Sequence, residues 1–250
     1  MGWRARIGII FPNDGDSDDD YLKMIPPGVT VHISRNEAPW TDDVIQSVKA
    51  QLEEGFIEAA AKLLTPIRPD SVGYGCSSGS FVGGAGYDQK IISVIEKVTG
   101  SPATTGSTAS IGALKALGIG RVAIATPYEE ARNEILAEFM EGNGFEVVNL
   151  KGLRLPEDIR SYLPSLGLTL SSMLDPRMAY RLGKEADAPR AEGVLIACTS
   201  FRTAEMIEPL EQDLGKPVVT ANQAVMWDAL RLAGVCPRME GLGKLYDLEP

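Results

Sequence analysis

The chain repeats itself, and that duplication limits its possible folds more than any other feature. An apolar run led by arginine and cut by proline, RARIGIIFP at 4–12, returns as GRVAIATP at 120–127. The run SVGY, which stops at Cys76, returns as GVLIA, which stops at Cys198. GSPATT at 100–105 returns as GKPVVT at 215–220, and the helical stretches that follow, IGALKALGI and MWDALRLAGV, match as well. Order and spacing agree, which marks two copies of one structural unit. Between the strand-like runs lie helical patterns over 42–64, with Val44, Val48, Leu52 and Ile57 on one side, and over 87–98, 107–117 and 129–142. Strands alternating with helices predict an α/β fold with parallel sheets. We expect two similar parallel-sheet lobes related by a pseudo-twofold axis, residues 1–115 plus 222–250 forming the first and 116–221 the second.

Ligands of open parallel sheets bind beyond the carboxyl ends of the strands. Two of the three cysteines, Cys76 and Cys198, stand at such ends, each followed by two hydroxyl residues: Ser77 and Ser78, then Thr199 and Ser200. If the lobes face each other, both thiols meet one cleft. A buried free cysteine ordinarily packs as a small hydrophobe, and Cys236, in AGVCPR, has no context beyond that. The repeated corner favours chemistry for the other two. Glycines at 79, 83, 84 and 86 let the backbone approach a ligand closely, and backbone N–H groups with the hydroxyls form a nest suited to a carboxylate.

Two thiols on opposite faces of a planar carbon permit two related reactions. One thiolate removes a proton while the other thiol delivers one, inverting a stereocentre. Alternatively, one adds to an activated alkene and the other protonates the neighbouring carbon, so that rotation and elimination yield the geometric isomer. Neither route uses a metal or an organic cofactor, and none is expected. The single histidine, His32, lies in the strand-like VTVHIS. That leaves little room for a Ser-His-Asp triad and none for a histidine-rich metal site.

Charge narrows the partners. With 24 Lys and Arg against 34 Asp and Glu, the formal net charge is -10, which disfavours nucleic acid. No apolar run approaches a membrane span, the N-terminal MGWRARIGIIFPND lacks a signal-peptide pattern, and three scattered cysteines form no disulfide framework. The expectation is a cytoplasmic protein acting on a small carboxylic acid.

The corners GCSSGS at 75–80 and ACTSFR at 197–202, with TANQA at 220–224, resemble the aspartate/glutamate racemase superfamily. Within it they look most like maleate cis-trans isomerases, with arylmalonate decarboxylases as near relatives. The resemblance implies Cys76 as attacking thiolate and Cys198 as the acid/base partner. It implies Asn13, Tyr128 and Asn222 as substrate-binding residues, with Ser77, Ser78, Thr199 and Ser200 cradling the carboxylate, and a homodimer as the assembly. Amino-acid racemases of this superfamily typically carry Asn-Thr after the first cysteine, and often Thr-Glu or Thr-His after the second. Ser77-Ser78 and Thr199-Ser200 therefore argue against aspartate or glutamate as substrate. The decarboxylases keep only the second cysteine, so Cys76 argues against simple decarboxylation. Maleate isomerisation is the leading expectation; a two-base racemase, a decarboxylase and, remotely, a small-molecule binding protein are the alternatives. One departure stands out. The loop NDGDSDDD at 13–20 is rich in carboxylates where maleate isomerases carry mostly Ser, Asn and Thr. It is expected to be a solvated loop whose aspartates cap the next helix, or else a sign that the substrate is not a simple dianion.

Overall fold

The computed structural model describes residues 2–37, 44–53, 55–154, 158 and 173–249. Its two halves build the same sheet. In the first, β1 (Ala5–Pro12), β2 (Val29–Asn36), β3 (Ser71–Tyr74) and β4 (Ala103–Thr105) lie in the order β2-β1-β3-β4, all parallel. In the second, β5 (Arg121–Thr126), β6 (Glu146–Gly152), β7 (Gly193–Ile196) and β8 (Val218–Thr220) lie in the order β6-β5-β7-β8, again parallel. The fold is thus α/β with two like lobes, as the duplication predicts. The inner strands are buried on both faces: every residue of SVGY and GVLI is inaccessible, whereas the edge strands β2 and β6 are only partly covered. That explains why the inner strands read as continuous apolar runs.

The helices are α1 (Asp18–Leu22), α2 (Val44–Glu53), α3 (Phe56–Leu64), α4 (Ser77–Phe81), α5 (Tyr87–Thr99), α6 (Gly106–Ala116), α7 (Glu130–Gly142), α8 (Pro176–Ala186), α9 (Ile207–Leu214), α10 (Ala221–Leu232) and α11 (Gly243–Asp247). The single helix expected over 42–64 is two. Gly55 adopts φ 77°, a left-handed conformation that glycine takes without steric cost, and the chain turns there between α2 and α3. Residues 42, 43 and 54 of that expectation lie outside the described residues.

The two halves join through a matched pair of helices. Thr105 caps α6 by accepting from the Thr108 N–H at 3.1 Å, and Thr220 caps α10 by accepting from the Gln223 N–H at 3.3 Å. A capped threonine between strand and helix offsets a helix start's unsatisfied donors, and the duplication has preserved the device in both copies. α10 leaves β8 and packs on α6, β3 and β4. The approach is tight at Gly73, where an added Cβ would lie 2.7 Å from Val225 Cγ1. One continuous apolar core runs through both sheets, with a smaller cluster beneath α3 and α5.

Candidate active site

Both cysteine corners follow the carboxyl ends of equivalent inner strands, β3 and β7, and the structure brings them together. Thr199, next to Cys198, donates its hydroxyl to the carbonyl of Gly75, next to Cys76, at 2.9 Å. Ser17 donates to the Thr199 carbonyl at 2.6 Å, tying the loop after β1 into the same junction. The thiols are free and buried. Both sulfurs act electrostatically on the same two phenols, Tyr21 and Tyr128.

The corners differ in backbone. Cys76 is the N-cap of α4, and its sulfur accepts from the Gly79 N–H at 3.3 Å, with Ser78 Oγ 3.9 Å away. Ser80 fixes the turn, donating to the Cys76 and Ser77 carbonyls at 3.0 and 2.8 Å. Cys198 is followed by a turn rather than a helix; its sulfur accepts from the Ser200 N–H at 3.4 Å, and the Ser200 and Tyr128 side chains favour its thiolate. Burial pushes the Cys76 thiol up to about 11, against the opposing pull of the Gly79 N–H, Ser78 and Tyr74. Burial also raises Cys198, while Ser200, Tyr128 and the Arg132 guanidinium act the other way. The unliganded protein accordingly holds both as thiols at neutral pH.

The remaining residues singled out in the sequence fall into distinct places. Ser77 is buried, and its hydroxyl has no hydrogen-bond partner among the described residues, so it is available to a ligand. Tyr128 is buried beneath the Arg132 guanidinium, which lies 4.7 Å from its ring centroid. Thr199 spends its hydroxyl on the clamp to Gly75. Asn13 is exposed at the end of β1. Asn222 is fully buried in the first turn of α10, donating to Asp20 Oδ2 and to the Phe201 carbonyl, each at 2.8 Å.

The acidic loop corrects an expectation. Its aspartates do not cap α1: the N-cap is Ser17, without a side-chain cap bond. Nor is the segment simply solvated. Asp20 is buried and accepts from the Thr203 N–H and hydroxyl, the Ala204 N–H and Asn222. Asp18 pairs with Arg35, and Asp19 with Arg202 at 3.0 Å. Asp19 and Asp20 bind the first half to the loop after Cys198, while the Asp18 pair stays within the first half. Asp14 is the exception, reaching Cys76, Arg35 and Arg132 electrostatically; burial raises its carboxyl toward the neutral acid. Tyr21 and Tyr74, fully buried at the thiol centre, escaped the sequence reading. Tyr74 carried a local signal, two residues before Cys76, but Tyr21 reaches the centre only through folding.

Among the described residues, no grouping of His, Cys, Asp and Glu could hold a metal, and no helix is long and apolar enough to cross a membrane. A 640 Å³ cavity beside Tyr128 contains neither cysteine and is lined by Glu129, Glu130 and Glu134. That acidic wall suits a carboxylate poorly, so the thiol junction is the better candidate for one.

A sequence profile of the arylmalonate decarboxylase family matches residues 44–246. The chain is 35% identical to an arylmalonate decarboxylase from Bordetella bronchiseptica over 67% of each chain. It is 24% identical to a maleate isomerase from Pseudomonas putida over 96% of each. Its fold matches that of a Nocardia farcinica maleate cis-trans isomerase, a cysteine-to-serine mutant with a covalently bound succinylcysteine intermediate. There the TM-score is 0.80 at 19% identity, covering 98% of this chain and 99% of the other. On this evidence the chain is an enzyme of the arylmalonate decarboxylase family.

Proposed function

We propose that the protein is a cofactor-independent isomerase of a small unsaturated carboxylic acid, with maleate to fumarate as its reaction. The observation that carries this reading is the junction itself: two thiols, each with its own backbone N–H and its own phenol, on corners one hydrogen bond apart. A decarboxylation needs one proton donor at the carbon that loses carbon dioxide. A second thiol is redundant there, but necessary where one sulfur must bond carbon while the other handles the proton.

In the proposed sequence Cys76 ionises and its thiolate attacks one alkene carbon. A C–S bond forms, the π electrons move toward the adjacent carboxylate, and the Cys198 thiol protonates the neighbouring carbon. The product is a saturated succinyl thioether with Cys198 left as thiolate. Rotation about the new single bond brings the carboxylates anti. Cys198 then removes a proton, the double bond re-forms, and Cys76 leaves as thiolate. Electrons and protons balance over the cycle, with no net redox change. In this reading the Ser77 hydroxyl and the Tyr128 phenol donate to carboxylate oxygens as negative charge builds there. The succinylcysteine of the Nocardia relative is the species this sequence forms. Asp14, raised by burial and flanked by Arg35 and Arg132, presents less repulsion to a dicarboxylate than its sequence suggests. Asn13, Ser78, Thr199, Ser200 and Asn222 complete the proposed site as binding or framing groups.

Proton NMR tests it: maleate incubated with the protein yields fumarate, and Cys76→Ser and Cys198→Ser each abolish conversion. Full activity in either variant, or no fumarate from the unaltered protein at high concentration, refutes the reading. The 35% identity to a decarboxylase favours a second reading, and carbon dioxide release from an arylmalonate under the same conditions measures it directly.

A further inference from the structure

Tyr74 ends β3, two residues before Cys76, and is fully buried. Its hydroxyl donates to Gln51 Oε1 on α2 at 2.6 Å. The same Oε1 accepts from Asn36 Nδ2, at the end of β2, at 2.8 Å. The same hydroxyl faces the Cys76 sulfur and favours its thiolate. A Cβ added at Gly79 would collide with both the Tyr74 hydroxyl and the Cys76 sulfur, so oxygen and sulfur converge on space that glycine leaves open. A phenol has one proton; here it sits on one acceptor, with the sulfur beside it as a second. Gln51 is not stranded when that proton leaves, because Asn36 still donates to it.

We propose that Tyr74 is a switching donor for Cys76: its proton rests on Gln51 while Cys76 is a thiol and turns to the sulfur when Cys76 ionises. Gln51 and Asn36 set how readily it turns. This makes Tyr74 a positioning residue. The idea rests on Cys76 being the nucleophile, but its test reads ionisation and not turnover, so the two can fail separately.

Other groups face this sulfur. Asp14, from the turn after β1, opposes ionisation by like charge. Tyr21 on α1, Tyr87 on α5 and Tyr128 after β5 interact with it through space, and burial keeps all three phenols neutral. Tyr87 bonds the Lys49 carbonyl at 3.3 Å, Tyr128 acts on Cys198, and Asp88 on α5 accepts from Thr108 at 2.6 Å. Tyr74 is the phenol beside this sulfur whose proton sits on an acceptor that can release it.

The experiment is the pH dependence of iodoacetamide alkylation, read by peptide mass spectrometry at Cys76 with Cys198 as internal reference. Tyr74→Phe is expected to slow Cys76 alkylation about tenfold at fixed pH, one pKa unit upward, with Cys198 unchanged. Gln51→Met is expected to speed it several-fold, because Tyr74 then has the sulfur as its remaining acceptor. Opposite signs do not arise from general loosening of the fold, and Gln51→Met carries the test alone if Tyr74→Phe fails to fold. Three results overturn the proposal: Tyr74→Phe within about twofold of the unaltered protein, both variants moving the same way, or a Cys76 that stays unalkylated to about pH 10.

Discussion

Replacing Asp20 separates two effects that the structure sets against each other. Oδ1 accepts from the Thr203 and Ala204 N–H groups, each at 3.0 Å. Oδ2 accepts from the Thr203 N–H at 3.0 Å, the Thr203 hydroxyl at 3.1 Å and Asn222 Nδ2 at 2.8 Å. Asp20→Ala leaves four donors without this acceptor, in a buried seam. Each buried donor left unpaired costs about 1–3 kcal/mol. Asp20→Asn is milder. Its amide oxygen keeps the two backbone donors and the Thr203 hydroxyl can turn, leaving the opposed Asn222 amide as the main loss, about 1–3 kcal/mol. The pH dependence decides which force dominates at Asp20. Burial raises its carboxyl despite the hydrogen bonds that lower it. The folded state therefore holds this proton more tightly than the unfolded chain. The associated stability is fully present below the unfolded carboxylate value of about 3.9 and is lost as pH rises through the folded value. Urea unfolding of the unaltered protein and Asp20→Asn, at about pH 7 and then in steps toward pH 4, is expected to show the gap between them widening on acidification. A gap that narrows refutes the reasoning, because it means the hydrogen bonds outweigh desolvation. Turnover is expected to fall further than stability alone requires, since Asp20 holds the loop that follows Cys198, and misplacement by about 1 Å can cost about a hundredfold.

The isomerase reading and the raised thiols together predict a pH–rate profile. With Cys76 pushed up to about 11, kcat/KM is expected to rise about tenfold per pH unit through the mildly alkaline range. It turns over where Cys198, also raised, ceases to be an acid; initial rates of fumarate formation that are flat from about pH 7 to 9 contradict this. Gly79→Ala places a methyl against Tyr74 and 2.8 Å from the Cys76 sulfur. Overpacking costs about 1–3 kcal/mol, and activity is expected to be lost while the protein stays folded by circular dichroism; normal turnover counts against a sulfur held in this corner.

The parts of this molecule that were legible in the sequence are those encoded within a few residues. The strands and the cysteine corners each show themselves through a local pattern, and duplication shows each pattern twice. The break at Gly55 was also local, but apolar spacing over 42–64 hid it, since a helical period says nothing about a left-handed residue inside it. What escaped was non-local. Asp20 meets partners 183, 184 and 202 positions away, and no window of sequence distinguishes it from the less buried aspartates beside it. The same holds for Tyr21, whose place at the thiol centre depends on how α1 meets the second half.

This division has a physical cause that bears on the chemistry. Duplication can supply two thiols at like corners, but it supplies them with like surroundings, and isomerisation needs one sulfur to bond carbon while the other carries a proton. The asymmetry must come from contacts the repeat does not share. Cys76 caps a helix and faces a phenol that donates to Gln51. Cys198 heads an open turn and faces a phenol lying under the Arg132 guanidinium. Tyr74 stands where the second copy has Ile196, and Gln51, Tyr128 and Arg132 lie outside the matched segments. An exchange of roles between the thiols thus calls for changes at Tyr74, Gln51 and Arg132, and not at the cysteines themselves.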